Sequence, residues 1–432
     1  NNRLKDFFKV LHHLDKDIFK EIGAIKDPRN QSYITYTMEV VILSRILAYC
    51  CHMKSMAEMN EDFNQDNAIR NIAEICGCEL ENLPHGDTIN LLFKRLDVHE
   101  IKNLITNLVK RMIENRSLER YRVFDNSYQL IIDGTQLYCF HQEHVKNSLT
   151  RTHSDGTTSY HTQVLAAYLM IGNNLIVPVD FEMMENEETN TKKQDCEINA
   201  AKRLLRRLKK TYPRLRIVLS ADALYAKNTI INLCKRNRWQ YIIRFKRGCI
   251  ENIFEEYEEH KANGYAQSCS EEIVKNKKTV IKRKYTYVNE LEYDGRKVNL
   301  AEMEEIRGDK RIDFIFMTDI KINGHNIKEI IQVGRKRWKI ENKGFNDEKH
   351  HGFAMEHAYS YHENAVKCHY ALMLIAHLIM QLLEHYMKTQ DNAKKIMEIG
   401  KEIKEALRYA HLNAQDYVEI LKPFQIRQEI PY

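Results

Sequence analysis

The chain has 432 residues, a length that suits two or three folding units. Hydrophobic residues make up 43% and charged residues 29%, with only 15 Gly and 6 Pro, a composition that excludes a disordered chain and favours a helix-rich globular protein. The formal net charge of +6 is small for this length, so its meaning depends on where the basic residues lie.

The N-terminal part of the chain is predicted to be helical. Apolar residues recur about every 3.6 positions in four successive blocks of residues 1–118. The fourth block begins at Asp87, which is expected to cap its helix because an aspartate side chain accepts hydrogen bonds from the free N–H groups of a first turn. We therefore predict a helical domain over residues 1–120.

Short β-rich runs replace this pattern from about residue 128. The first predicted strand is "QLIIDGTQLYCF", and "HTQVLAAYLMIGNNLIVPVDFEMM" is a predicted hairpin that turns at "GNN". A helix ("CEINAAKRLLRRLKKTY"), a strand ("RIVLSADA"), a second helix ("KNTIINLCKRNR") and a last strand ("YIIRFKR") follow. This alternation predicts an α/β domain over residues 121–362, with a mixed sheet covered by helices.

Two further segments complete the predicted architecture. Alternating polar and aromatic residues over 250–320 predict an antiparallel β insertion, and residues 326–350 then show helical periodicity. Residues 363–432 are predicted to form a C-terminal helical region. Its most apolar run, at 370–385, is shorter than a membrane span and is interrupted by His377 and Gln381, so we predict a core helix and no membrane association.

The ten cysteines are scattered along the chain and form no CxxC pair and no zinc-finger spacing. This distribution favours free thiols in a reducing compartment over disulfides or a structural metal site. The sequence also shows no charged-then-apolar leader. We therefore expect a cytoplasmic protein.

Basic residues are concentrated between Lys202 and Gly248. This stretch contains 15 Lys or Arg and one acid, Asp222. A solvated helix face is the ordinary explanation of a charged run, but a run without compensating acids favours a polyanion partner, most often nucleic acid. The residues of this stretch that we predict to contact DNA are Arg206, Arg207, Lys209, Lys210, Arg244, Lys246 and Arg247.

Three acidic residues stand where their carboxylates could converge. Asp133 ends the apolar run "LIID", and Asp222 ends "IVLSAD". Because the carboxyl ends of strands meet at one edge of an open sheet, these two residues are expected to lie together. Glu341 would join them from the helix after the insertion, where Arg337 lies four residues earlier on the same face.

Each of these acids also has a purely structural explanation. Asp133 could belong to a hairpin turn with Gly134, Asp222 could cap a helix, and Glu341 could simply pair with Arg337. Together, however, three carboxylates without a thiol or imidazole suit hard cations such as Mg²⁺ or Mn²⁺. Two such ions can hold a phosphate between its attacking and leaving oxygens. We therefore predict that Asp133, Asp222 and Glu341 are catalytic and bind two metal ions.

The segments around the three acids resemble a known family. "IIDGTQLY", "IVLSADALYAKNTI" and "GRKRWKIENKGFNDEKHHGFAMEHAY" are similar to the motifs of the DDE transposases of bacterial insertion sequences, in the insertion-sequence-four-like group. The resembling segments run from about residue 85 to 385. The resemblance implies an RNase H-like domain that hydrolyses a phosphodiester at the end of a mobile element and transfers the freed 3′-hydroxyl into target DNA.

The same resemblance implies partners and further site residues. The N-terminal helices would bind the terminal inverted repeat of double-stranded DNA, and a homodimer, built through the helices after residue 363, would pair the two element ends. Arg337 would grip a phosphate as a bidentate fork, with Lys343 and Lys349 as positioning charges. The protein would act on the nucleoid of a bacterium.

Two positions depart from the family signature, Tyr-x2-Arg-x3-Glu-x6-Lys. Gly334 stands in the tyrosine position, and Glu348 stands in the lysine position, one residue before Lys349. Arg337 and Glu341 fit the signature in the right order. The departures therefore fall on DNA-contacting positions and leave the acid in place.

The aromatic residues near the site are predicted to pack in the protein interior. Relatives of this group can stack a flipped base on a Trp of the β insertion, whereas Trp239 and Trp338 lie outside this segment here. We predict that Trp338 packs between helix and sheet. The tyrosines of the insertion are predicted to pack within it; they are Tyr285, Tyr287 and Tyr293.

The sequence is also compatible with two other functions. An RNase H-like nuclease without strand transfer would use the same three acids. A transposase-derived DNA-binding protein would lack catalysis, and its expected mark is the loss of an acid, whereas all three are present. The transposase is therefore the preferred interpretation.

Overall fold

A ten-stranded sheet occupies the middle of the chain in the computed structural model, which describes residues 2–124, 126–187, 193–275 and 279–424. The first strand of the chain lies inside the sheet and is buried on both faces, since Leu130, Ile131 and Ile132 are 0–1% exposed. The first six strands are β1 (Tyr128–Phe140), β2 (Leu149–Thr152), β3 (Thr158–Ile171), β4 (Leu175–Met184), β5 (Ile217–Ala221) and β6 (Gln240–Phe245).

The strand order β4-β3-β1-β5-β6 defines the fold. Strands β1, β5 and β6 are parallel neighbours, whereas β3 runs antiparallel to both β1 and β4. Helices α8 (Glu197–Thr211) and α9 (Asn228–Asn237) connect β4 to β5 and β5 to β6. This mixed sheet with flanking helices is consistent with an RNase H-like fold and confirms the predicted fold class. The predicted hairpin is β3–β4, and the short, exposed edge strand β2 was missed.

Helices precede the sheet, as predicted from the apolar periodicity. Asp87 does not cap the fourth predicted block, because this helix begins at Gly86 and His85 is its cap, with a side chain that accepts from the Asp87 N–H. The block also divides at Asp97, which caps a second helix. The N-terminal helices are α1 (Arg3–Leu14), α2 (Ile18–Gly23), α3 (Met38–Cys50), α4 (Met56–Phe63), α5 (Asp66–Cys76), α6 (Gly86–Arg95) and α7 (Val98–Glu114).

The predicted β insertion begins with a helix. Its elements are α10 (Glu251–Ala262), β7 (Gln267–Lys275), β8 (Thr279–Tyr293), β9 (Arg296–Arg307) and β10 (Lys310–Thr318). Strand β10 pairs antiparallel with β6, so the insertion extends the same sheet. Tyr285 and Tyr287 are buried in it, as predicted, and Tyr293 packs against the main core.

The chain after the insertion is helical with one irregular segment. Helix α11 (Ile327–Lys336) ends one residue before Arg337, and a π-helical segment (Ile340–Phe345) then leads into α12 (Asn346–His350). π-Helical turns inside helices are rare and occur frequently at functional sites. The last helices are α13 (Glu363–Thr389), α14 (Ile396–Tyr409) and α15 (Ala414–Leu421). The final part of the predicted C-terminal region, 425–432, lies outside the described residues.

Helix α13 is the central helix of the core. By length and composition it could cross a membrane, but 94% of its most apolar window is buried inside the protein, which fits the predicted core helix. It packs against α3, α6, α7 and β4, so the N-terminal and C-terminal helices share one hydrophobic core with the sheet. The apolar surface of α13 is therefore used within the chain, and the predicted dimer contact after residue 363 stays a prediction.

A buried polar network connects α12 to the sheet and to α13. Glu348 is 0% exposed, and its Oε1 accepts a hydrogen bond from the Tyr168 hydroxyl at 2.6 Å. His377 Nδ1 lies 3.0 Å from the same oxygen. Buried polar groups of this kind fix one arrangement of the elements that carry them. Glu348 thus holds the segment that follows Glu341 in place, which gives the acid in the lysine position of the signature a structural role.

Gly334 is glycine for a packing reason. A Cβ at this position would lie 2.6 Å from ring atoms of Phe316, a buried residue of β10. Carbon atoms cannot approach so closely, and the ring is held by the sheet, so no side chain fits here without displacing Phe316. The position that carries a tyrosine in the family signature is filled in this chain by the ring of a neighbouring strand.

We expect Gly334→Ala to lower the free energy of unfolding by about 1–3 kcal/mol, because the added methyl group overpacks the contact with Phe316. Urea unfolding of the purified protein would measure the difference. Gly324→Ala is the matched control, since a Cβ at Gly324 meets nothing within 4 Å. Phe316→Leu should recover part of the loss in the double variant. Equal stability of the two alanine variants would contradict the packing argument.

Candidate active site

Asp133 and Asp222 lie at the same edge of the sheet. The parallel pairing of β1 with β5 ends at Ile131 and Ser220, so both acids lie just beyond it. Asp133 does not end its strand, because β1 continues to Phe140 and Asp133 pairs with Ala166 of β3. Asp133 therefore does not lie in a hairpin turn, and that explanation is wrong. Its backbone is held by the pairing of β1 with β3.

Asp222 follows β5 directly and caps a short 3₁₀ turn, Ala223–Tyr225. Its Oδ1 accepts a hydrogen bond from the Leu224 N–H at 2.8 Å. The capping explanation is therefore correct for this oxygen. It is also compatible with a functional role, because one bond of this kind orients a carboxylate without using both of its oxygens.

Arg337 connects Asp133 to Glu341. Its Nη1 donates to Asp133 Oδ2 at 2.9 Å, and its Nη2 donates to Glu341 Oε1 at 2.8 Å. The predicted pairing of Arg337 with Glu341 one helical turn later is confirmed. A single guanidinium thus brings a strand residue and a residue 208 positions later in the chain to the same place. Glu341 lies in the π-helical segment and is half exposed.

A fourth acid, Glu197, belongs to this cluster and was missed in the sequence. It is the first residue of α8, and an added Cβ on Gly134 would lie 2.7 Å from its carboxyl carbon. The buried Tyr225 hydroxyl donates to Glu197 Oε1. Sequence patterns give no signal for this role, because an acid in the first turn of a helix is favoured by the helix dipole at any site.

The cluster is electrostatically unfavourable for its own carboxylates. The pKa of Asp133 is raised from 3.8 to about 7, mainly by burial and also by the neighbouring Glu197, Asp222 and Glu341, whereas the Arg337 guanidinium lowers it. Burial and the charge of Asp222 also raise the pKa of Glu197, against hydrogen bonds from Tyr225 and the Gly134 N–H. Perturbed acids at one edge of a sheet are typical of functional sites.

The donor set fits a hard divalent cation, since it consists of carboxylate oxygens. Among the described residues, however, no three His, Cys, Asp or Glu side chains converge tightly enough to hold an ion as they stand. Arg337 occupies the space between Asp133 and Glu341. Residues that could hold a cation are therefore present, and ligation by Asp133 and Glu341 together would require the guanidinium to move.

Basic residues surround the same edge of the sheet. Arg244 of β6 donates to the carbonyls of Ile315 and Asp313, and burial lowers the pKa of its guanidinium. Lys246 and Arg247 follow β6 and are exposed. The Lys343 ammonium lies 3.9 Å from the Asp347 carboxylate, and the Lys349 ammonium lies 2.9 Å from the Glu356 carboxylate, so both are paired within the chain. Lys246 and Arg247 are therefore the cations of this group most open to solvent.

The predicted DNA-contacting residues of helix α8 differ in whether their side chains are already bound within the chain. Arg206 and Lys210 are exposed, and Lys209 donates to the Pro213 carbonyl. Arg207 is already occupied, because its guanidinium donates to Asp180 at 2.6 Å and to Glu182 at 2.7 Å. An arginine held by two carboxylates within its own chain has few donors left for a phosphate. Arg207 therefore acts first as a structural residue between α8 and β4.

Trp338 is not a core residue, and its predicted packing between helix and sheet is wrong. Its side chain is 47% exposed, beside Arg337, and the Lys339 ammonium lies 5.0 Å from its ring centroid. The turn after α11 rotates the indole away from the core, whereas an uninterrupted helix would keep it on a fixed face. Trp239, by contrast, is buried.

The family of the chain follows from a comparison with known proteins. Residues 17–401 match the family described as Transposase DDE domain group 1. The chain belongs to this family. Its members are phosphoryl-transfer enzymes of DNA transposition, which agrees with a carboxylate cluster beside basic residues at one edge of an RNase H-like sheet. No curated protein in the comparison matches the chain.

We expect Asp133→Asn to stabilise the metal-free protein at pH 8 more than at pH 5. The pKa of Asp133 lies near 7 in the folded protein and near 3.8 without burial. The folded state therefore binds more protons between these values, and the contribution of Asp133 to stability is lost as pH rises through 7. At pH 5 the wild-type side chain is mostly neutral, and the amide changes little.

Thermal unfolding with a chelator present would measure both differences. Asp309→Asn in the exposed turn after β9 is the control, and its effect should be the same at the two pH values. A variant less stable than wild type at pH 8 and equal to it at pH 5 would contradict the electrostatic account.

Proposed function

We propose that the protein is a DNA transposase of the insertion-sequence-four-like group. It hydrolyses phosphodiester bonds at the ends of a mobile element and transfers the 3′-hydroxyl into target DNA. The observation that carries the proposal is the double contact of Arg337, which unites Asp133 and Glu341 beside Asp222. Two of the three acids that the family motifs single out share this contact, and Asp222 is an electrostatic neighbour of Asp133.

The residues of the site have separate roles in this reaction. Asp133, Asp222 and Glu341 would hold two Mg²⁺ or Mn²⁺ ions, which lower the pKa of bound water and stabilise charge on the phosphate. Asp222 is oriented by the Leu224 N–H, and Asp133 is held by β1. Arg337 has a planar fork of donors and would exchange its carboxylates for phosphate oxygens when DNA enters.

DNA would extend from this edge over the basic surface. Exposed cations near the site, such as Lys246 and Arg247, and cations on α8, such as Arg206 and Lys210, suit phosphate contacts. Lys343 and Lys349 would position the strand near Glu341. We further propose that the N-terminal helices bind the terminal repeat, that two protomers pair the ends, and that the protein acts on nucleoid DNA in the bacterial cytoplasm.

We expect Asp133→Asn, Asp222→Asn and Glu341→Gln each to abolish Mg²⁺-dependent cleavage of a duplex that carries the element end. Binding of the same duplex should remain nearly unchanged, because the substitutions remove metal ligands and no phosphate contact. Gel analysis of nicked and joined products measures both steps. Asp309→Asn is the control.

The products also separate the related functions. Cleavage without joining of precleaved ends would indicate a nuclease, and binding without any cleavage would indicate a DNA-binding protein that lacks catalysis. Full strand transfer by any one of the three variants would remove that residue from the metal site.

We expect simultaneous Arg206→Gln, Lys210→Gln, Lys246→Gln and Arg247→Gln to weaken DNA binding and flatten its salt dependence. Each lost phosphate contact reduces the slope of log affinity against log salt by about one unit. Fluorescence anisotropy over a salt series gives the slope. Arg207→Gln is the matched contrast: it should lower thermal stability, because it breaks the contacts with Asp180 and Glu182, and leave the slope unchanged. An unchanged slope in the quadruple variant would mean that these four residues are exposed to solvent and do not contact DNA.

A further inference from the structure

Four arginine side chains share the sheet face that packs against α11. Arg283 on β8 lies directly opposite Glu305 on β9, and Arg307 is two residues further along the same strand, so these three side chains are on one face. Arg244 on β6 lies opposite Phe316 of β10, which packs in the same hydrophobic cluster as α11. The fourth arginine belongs to the last turn of α11. Together these residues form the arginine face: Arg244, Arg283, Arg307 and Arg335.

Two of these arginines lie over the same aromatic ring. The guanidinium carbon of Arg244 is 4.9 Å from the Phe314 ring centroid, and the guanidinium carbon of Arg335 is 4.8 Å from it. An aromatic ring attracts a guanidinium without neutralising its charge and without using its N–H donors. Arg244 donates to the backbone carbonyls of Asp313 and Ile315, which are neutral acceptors. Both cations are therefore held at the surface with their positive charge intact.

One buried carboxylate serves the other arginine contacts of this face. Glu305 is 1% exposed, and its oxygens lie 2.6 Å from Arg283, 2.6 Å from Arg307 and 3.8 Å from Arg335. Glu271, a second acid of this face, lies 3.4 Å from Arg283 and also pairs with a lysine of α11. The pKa of Arg335 is lowered mainly by burial and also by Arg283 and Arg307, whereas Glu305 raises it. The acids thus leave an excess of positive charge on the face.

Arg244 connects the arginine face to the catalytic edge. Among the described residues no carboxylate forms an ion pair with it; burial lowers its pKa, and the charges of Asp313 and Arg337 act on it in opposite directions. The face therefore begins near the guanidinium that contacts Asp133 and Glu341. From β6 it extends over β10 and β9 to β8, which is three strand spacings or about 14 Å. Phosphates of one DNA strand follow each other about every 3.4 Å along the duplex axis, so this length covers several of them.

We propose that the arginine face binds the phosphate backbone of a DNA strand that leaves the catalytic edge, so that the β insertion forms part of the DNA interface. This inference rests on the proposed function and adds Arg283, Arg307 and Arg335 to the residues expected at the DNA. A row of unbalanced charges is complementary to a polyanion, and the planar fork of each free guanidinium suits phosphate oxygens. The side chains of Arg307 and Arg335, 42% and 30% exposed, are open to such a partner.

The test counts phosphate contacts by fluorescence anisotropy over a salt series, since each lost contact reduces the slope of log affinity against log salt by about one unit. We expect Arg244→Gln, Arg307→Gln and Arg335→Gln together to reduce the slope by about three units. One arm uses a duplex that carries the element end, and the other uses an unrelated duplex added to protein already loaded with unlabelled ends. The arm that responds identifies the DNA bound. Lys at the same three positions keeps the charges and should restore most of the slope.

The matched control lies on the other face of the same insertion. Lys282 and Lys284 on β8 and Arg311 on β10 are exposed, and they alternate with the residues of the arginine face. Their simultaneous substitution by Gln removes the same three charges and should leave the slope unchanged. Circular dichroism and thermal unfolding would identify a variant that fails to fold. In that case Arg307→Gln alone, with an expected loss of about one unit of slope, is the deciding variant.

The outcomes separate this inference from the function on which it rests. Wild-type slopes on both duplexes in the arginine-face variant, with cleavage and joining by the wild-type protein, would overturn the inference and leave the transposase proposal intact. Unchanged slopes with lost self-association would assign the face to a second protomer and also overturn it. An equal loss of slope in the control variant would show an effect of net charge and contradict a specific face. A reduced slope without cleavage by the wild-type protein would keep the DNA interface and overturn the transposase proposal.

Discussion

The contact of one guanidinium with two carboxylates is the constraint on which the arrangement of the site depends. Arg337 donates to Asp133 on a central strand and to Glu341 on a π-helical segment. The two acids would otherwise repel each other, and a carboxylate left without its partner in a half-buried place is strongly unfavourable. The contact therefore fixes how the segment after the insertion lies against the sheet. Glu348, bonded to Tyr168 and near His377, fixes the same segment from its other end.

The charge balance of the cluster connects the fold to its chemistry. The Arg337 guanidinium contacts two of the four carboxylates of the cluster, and burial together with the neighbouring acids raises the pKa of Asp133 to about 7. Such a balance lowers the stability of the isolated chain, because each acid must be held near the others by the sheet, a helix start or a turn. Sites that bind cations through hard oxygen ligands have this property, since the stability returns when positive charge enters.

The sequence predicted what depends on periodicity and missed what depends on contacts between distant segments. Alternating and helical patterns placed the strands and helices, so Asp133 and Asp222 could be assigned to one edge of a sheet. Glu197 carries no such signal, because its role arises only when α8 packs beside Gly134. Arg207 belonged to a basic run by composition, yet Asp180 and Glu182 on β4 occupy its guanidinium. Trp338 was predicted from an uninterrupted helix, and the turn that exposes it is a local irregularity.

The two departures from the family signature have local explanations that leave the acids undisturbed. Gly334 leaves room for Phe316, whose ring is part of the strand that joins the insertion to β6, so the tyrosine position has become a packing position. Glu348 is fully buried with polar partners, and a lysine there would bring an ammonium group into a site with no room for its hydration. The neighbouring Lys349 stays partly exposed beside Glu356. Positions 334 and 348 of the signature therefore have structural roles in this chain, and the basic residue of the signature lies one position later, at Lys349. Arg337 keeps the contact that brings Asp133 and Glu341 together.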